Sequence, residues 1–245
     1  MAQQPPPATE YQRQQSALAD GLGVQLGAAW ALLDVAALAR TLPAFAAAVA
    51  ALVHRYGSAS AGVAADFYGA ARAAAGVKGS FTVPLADPAG LEQVSQSVGW
   101  ATKGLWSAQP EVEAAKTLVK GAAERLVLDA GRNTVVQAVQ RDRQARGWAR
   151  VTQPGCCYFC AMLASRGAVY RSERTADFQA HDHDRCVAEP VFGVYEMTAA
   201  ARGFQALWRD STRGHSGDAA IKAFRQAYEG RDEGPARDDS TPHGG

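Results

Sequence analysis

Lysine is scarce in this chain and cysteine is missing from most of it. Only 5 of the 25 basic residues are lysine, and 24 acids leave a formal net charge of +1. That balance gives no electrostatic case for nucleic-acid binding by the chain as a whole. The N-terminus, MAQQPPPATE, lacks the basic stretch and apolar core of an export signal. Long hydrophobic runs are missing too. The most apolar stretch, TLPAFAAAVAALV, covers 13 residues between Arg40 and His54. It is alanine-rich and interrupted by Pro43, so it is predicted to be too short and too weak to cross a bilayer, and no membrane partner is expected. Internal repeats and long heptad runs are absent. The expected setting is a reducing cytosol, where stable disulfides are rare.

What the chain does have is helix-forming sequence. Residues 1–9 are rich in Gln and Pro and are expected to form a disordered arm. Residues 10–146 read as a helical region dominated by Ala, Leu, Gln and Arg. Apolar residues recur at helical spacing at Leu18, Leu22 and Leu26, and again at Phe45, Val49 and Leu52. A helix start is predicted at TLPAF, with Thr41 as N-cap before Pro43. KGSFTVPLADP, residues 78–88, is predicted to be an extended loop, followed by a short helix over 91–102. The strongest helix begins near Pro110. Val112, Ala115, Val119, Ala122 and Leu126 form its apolar stripe. Lys120 with Glu124 and Arg125 with Asp129 are spaced as i,i+4 ion pairs, and Gly131 is a candidate kink.

The character changes at Gly147. GWARVTQ, GAVYRS and RCVAEPVF are short, β-prone runs bounded by Gly, Pro or Ser, with Pro190 favouring an edge. A short helix, FCAMLASRG, lies between the first two and is closed by Gly167. Residues 147–193 are therefore predicted to be a small α+β module with three strands. Helices follow within 194–229, and residues 230–245 are expected to be a disordered tail. The fold class is mainly α, and α+β overall.

All 4 cysteines lie in one stretch, CCYFCAMLASRGAVYRSERTADFQAHDHDRC, residues 156–186. Cys157-x2-Cys160 can place two thiolates on one ion, and His181, His183, Asp184 and Cys186 follow, a spacing that suits a tetrahedral zinc site. A module this small has little core, and a metal clip would help it fold. Three other readings stay open: a redox CxxC at a helix N-terminus, a catalytic Cys156 or Cys157 paired with His181 or His183, and plain structural cysteines. No His-Glu-x-x-His helix and no Gly-x-Ser-x-Gly elbow is present.

ERLVLDAGRNTVVQAVQRDRQARGWARVTQPGCCYFCAMLASRGAVYRSERTADFQAHDHDRCVAEPVF resembles the C-terminal module of MuF-like phage head-morphogenesis proteins. The likeness is closest to the minor capsid proteins of actinobacterial tailed phages and prophages, and the Ala/Arg-rich composition fits that setting. It is strong over residues 120–193 and weaker over the N-terminal helices. The resemblance implies a virion component made in the host cytoplasm and placed in the capsid head. Its partners would be the portal protein and the major capsid protein, with packaged DNA nearby. Capsid maturation protease is the alternative activity. Position by position, the resemblance selects Cys157, Cys160, His181 and Cys186 as metal ligands for one structural zinc ion. The family's middle cysteine falls on Asp184. His181 is preferred to His183, because alternation in the strand entering at Arg185 turns His183 and Cys186 to opposite sides.

Overall fold

The computed structural model describes residues 7–170, 178 and 180–231. Among these, the order of elements is α1 (Pro7–Ala29), α2 (Leu38–Ala74), α3 (Leu91–Ala101), α4 (Val112–Arg141), β1 (Gly147–Val151), α5 (Tyr158–Ala164), β2 (Val187–Val191), α6 (Ala199–Ser211) and α7 (Gly217–Glu229). The mainly helical class with a small sheet is what the sequence predicts. Helix α1 starts three residues before the expected start of the helical region at residue 10. Residues 1–6 and 232–245 lie outside the described residues, and with them most of the predicted arm and tail.

Helix α4 is the axis of the molecule. Its apolar stripe at Ala115, Val119, Ala122 and Leu126 is buried, and burial then spreads around the helix from Gly121 to Val139. A helix covered on all sides needs neighbours on all sides. Helices α1, α2 and α3 cover one side, and β2 with the segment before it covers the other. Gly131 is not needed as a kink in this packing. A Cβ there would lie 2.5 Å from Ser60 Oγ and 2.9 Å from Gln15 Nε2, so glycine lets three helices close on each other. The polar pair it admits is satisfied: Ser60 Oγ donates to Gln15 Oε1 (2.7 Å) and Gln15 Nε2 donates to the Ser60 carbonyl (3.0 Å).

Two helix starts differ from expectation. Helix α2 begins at Leu38, before Thr41, and holds Pro43 inside. Thr41 is not the cap, because its hydroxyl is engaged by the backbone of Asp34 and Ala37. Helix α4 begins at Val112, two residues after Pro110. The short apolar run also proves to be part of a longer feature. Residues Val35–Ala74 are long and apolar enough, by length and composition only, to cross a membrane, with a best-window mean hydropathy of 1.8. In this fold α2 buries one face, with Phe45, Val49, Val53, Ala61, Ala64, Phe67 and Tyr68 against α1 and α4, and 22% of its apolar window is buried.

The core has two main parts. Around Val49 it is almost entirely aliphatic, built from Leu22, Leu26, Val53, Val94, Val98, Val119, Leu126 and Val127 with Phe45. Around Trp148 it mixes aromatics, thiols and small residues, including Tyr11, Phe67, Tyr68, Tyr170, Phe178, Cys160, Cys186 and Phe224. Strands β1 and β2 are antiparallel, with Trp148 opposite Pro190. Pro190 has no N–H to give, and none is needed. Trp148 N–H points away from β2 and donates to the Tyr170 carbonyl (3.3 Å). Within the described residues, that single bridge is all that appears of the predicted third strand.

Candidate metal centre

The chain leaves β1 through Gly155, whose φ of +72 favours glycine, and enters α5 with Cys157 as N-cap. Cys157 Sγ accepts from the Cys160 backbone N–H (3.4 Å). The CxxC spacing thus sets the first turn of a seven-residue helix and brings Cys160 beside its cap. Cys160 is fully buried and Cys157 is half-buried.

The other arm is a turn. Asp184 N–H donates to the His181 carbonyl (3.2 Å), and His183 sits third in the turn with φ of +66. Histidine is among the few non-glycine residues enriched in that left-handed region. The turn folds Asp184 back toward the thiols. Its Oδ2 accepts from His181 N–H (2.9 Å) and stands 3.2 Å from Cys160 Sγ and 3.8 Å from Cys157 Sγ. Donor atoms of Cys157, Cys160 and Asp184 all lie within 4.8 Å of one another. Ligands around one tetrahedral zinc, at bonds of about 2.0–2.3 Å, lie roughly 3.3–3.8 Å apart. The residues present fit a small dication, and this group could hold a metal ion.

The remaining predicted ligands sit at the edge of this group. His181 is exposed, with Nδ1 3.9 Å from Cys157 Sγ and 3.9 Å from Asp184 Oδ2, and its ring leans on Phe159. Cys186 is buried and its side chain faces Cys160. His183 turns away toward α4, placing Nδ1 3.4 Å from Glu124 Oε2. A groove of about 330 Å³ adjoins the thiols, walled by Cys157, Tyr158, Asp184 and Tyr228.

Helix α4 holds this turn from below. Gly121 leaves room for it: a Cβ would lie 2.6 Å from His183 Nε2 and 3.0 Å from Asp182 Cβ. Arg125 Nε pairs with Asp182 Oδ1 (2.8 Å), and Arg185 pairs with Glu124 (3.4 Å) and Asp20 (2.7 Å). Arg132, only 1% exposed, donates to the carbonyls of Cys186 (3.0 Å) and Asp184 and pairs with Asp129 (2.9 Å). From the opposite side, buried Arg150 on β1 donates to Cys160 Sγ (3.4 Å), its guanidinium lying 3.7 Å from the centre of the Phe178 ring.

Sequence reading did not single out Gly121, Arg132 or Arg150. A signal was present for both arginines. Arg132 falls on the helical face of Leu128, Val135 and Val136. Arg150 alternates with Trp148 inside GWARV, where a charge is out of place unless it has a partner.

Electrostatics argue about the chemistry. Hydrogen bonding to Cys160, burial and the Cys160 charge push the Cys157 thiol well above its ordinary range. The Cys157 contact favours a Cys160 thiolate, but the Cys186 contact and burial outweigh it and push that thiol up as well. Burial raises Cys156 too. Reactive and redox cysteines have lowered pKa values. The upward direction at all three weighs against the lowered thiol that a catalytic pair or a redox CxxC needs. A bound dication supplies the charge that turns such thiols into ligands.

No curated protein and no solved structure matches this chain. A family model does. The model described as VG15 protein matches residues 2–223, taking in α1 to α6, both strands, both arms of the metal group and part of α7. The chain therefore belongs to the VG15 family, a family of phage proteins.

Proposed function

We propose that this is a minor capsid protein of the MuF-like kind, acting in phage head morphogenesis in the capsid head and contacting the portal or the major capsid protein. The observation that carries this reading is the family match across nearly the whole chain, joined to the resemblance of residues 120–193. The helical region supplies a docking face. Trp100 (63% exposed), Trp106 (58%) and Leu118 (37%) stand in the open, with a groove of about 340 Å³ beside Trp100 and Leu118. Exposed tryptophans of this kind are enriched where partners bind. The test is cross-linking in assembled heads with wild type and a Trp100→Glu, Trp106→Glu double variant. Wild type should cross-link to portal or major capsid protein, and the folded double variant should be lost from heads. Normal incorporation of the double variant overturns this docking face.

The Cys module serves as a rigid knuckle clipped by one zinc ion on Cys157, Cys160 and Asp184. His181, with Nδ1 3.9 Å from both Cys157 Sγ and Asp184 Oδ2, has the freedom of an exposed side chain to close the tetrahedron. Protein prepared without chelator should carry about one zinc per chain, as a single four-ligand site requires. Protein free of stoichiometric metal overturns the zinc reading and leaves the virion reading standing.

A further inference from the structure

We propose that Arg150 is the positioning residue of this metal centre: it holds Cys160 through a charge-assisted hydrogen bond to sulfur and balances the charge of the loaded site. The inference rests on the zinc reading above. Two thiolates and a carboxylate outweigh a dication by one negative charge. At Cys160, which is fully buried, that excess has to be met by a nearby cation or donor. Arg150 stands where it is needed. It is 2% exposed, and its Nη1 donates to Cys160 Sγ at 3.4 Å.

The position is held by the sheet and by an aromatic stack. Strand β1 pairs Arg150 with Ala188, two residues beyond Cys186, so its backbone is fixed to the arm that carries Asp184. The guanidinium lies over Phe178, and Phe178 stacks on Trp148. Arg132, the other buried arginine here, donates instead to the carbonyls of Asp184 and Cys186 and pairs with Asp129. One arginine therefore fixes the backbone of the ligand turn, and the other meets the sulfur of a ligand. A hydrogen bond to a coordinating atom fixes its orientation and donor strength, and outer partners of this kind typically shift metal affinity by about 10–100-fold.

The test uses the full chain, with zinc affinity measured by competition against a chromophoric chelator and the spectrum of the cobalt-loaded protein as second readout. Arg150→Met should weaken zinc binding by roughly 10–100-fold. Arg150→Lys keeps the charge but not the planar stack, and should recover most of that loss. The thiolate-to-cobalt charge-transfer band should move to longer wavelength in both variants, further in the methionine variant, where sulfur loses its donor, than in the lysine variant, where a point-charge donor without the planar stack replaces the guanidinium. If Arg150→Met does not fold, the lysine variant and its band shift still decide. Unchanged affinity in Arg150→Met, or a lysine variant with an unshifted band, overturns the proposal. Wild type that binds neither zinc nor cobalt sinks the zinc reading itself, a result distinct from either of these.

Discussion

The core around Val49 and the core around Trp148 face the same problem with different materials. The first packs aliphatic side chains from four helices, and its members are near-interchangeable in chemistry. The second packs stacked aromatics (Tyr170 on Trp148 at 4.4 Å, Trp148 on Phe178 at 5.2 Å) and admits two arginines and three thiols. Apolar packing is non-directional and tolerates exchange, whereas a buried charge demands a partner at a fixed distance. The module end should therefore be fragile to single changes and the bundle end forgiving. Helices α1, α2 and α4 each contribute to both ends, so damage at one reaches the other through them.

The sharpest break of this comparison is Arg132→Met. It leaves two loop carbonyls without their buried donor and Asp129 with only Arg125, and leaving buried hydrogen-bonding groups unsatisfied costs about 1–3 kcal/mol each. Denaturant unfolding should show that loss. A loss below about 1 kcal/mol, the scale of an exposed pair, would show that the clamp is dispensable. Metal comes next. Zinc at a hundred times its dissociation constant should stabilise the chain by about 2.7 kcal/mol. Hydrogen exchange should place the gain in residues 153–160 and 181–187, with the amides of α3 unchanged. Equal gains at both ends would erase the distinction drawn here.

A glycine pair gives a smaller and cleaner contrast. Gly121→Ala drives a Cβ into the ligand turn and should cost about 1 kcal/mol, with His183 displaced from Glu124. Gly62→Ala, in helix α2 with open space where the Cβ goes, should instead stabilise by roughly 0.5–1 kcal/mol. Thermal melts that move in the same direction would refute the assignment of Gly121 as a spacer.

The smallest effect concerns pH. Burial raises the pKa of Glu189 on β2. The unfolded chain releases that proton first, so folding loses stability as pH rises from the ordinary glutamate range through the raised value. Above that window Glu189→Gln should be the more stable protein; below it the two should coincide. A stability difference that does not change with pH would mean that burial of the charge is not the cause.

Much of the helical region was legible because helical spacing is a local property. Leu22, Leu26, Phe45, Val49, Val119 and Leu126 were readable as core from their periodicity alone, and all are buried. The i,i+4 pairs Lys120–Glu124 and Arg125–Asp129 are present at 3.9 Å and 3.7 Å for the same reason. Helix starts were less legible. The Thr41 hydroxyl had a competing use in the loop before α2, which no local rule foresees. In the site, the CxxC turn was readable because four consecutive residues set it. Which group of the second arm faces the thiols depended on a left-handed residue at His183 and on space left by Gly121, a residue of another helix.

The sequence by itself determined the mainly helical class, the change of character at Gly147, and the concentration of metal-ligating residues in residues 156–186. Each of these follows from composition or short-range spacing, which act before the chain is packed. Only the tertiary structure decided that Asp184 turns in toward Cys157 and Cys160 while His183 turns out toward Glu124. The same holds for Arg132 and Arg150, which reach the site from two different elements. Those outcomes depend on where distant backbones come to lie, and a buried charge finds its partner only once they are in place.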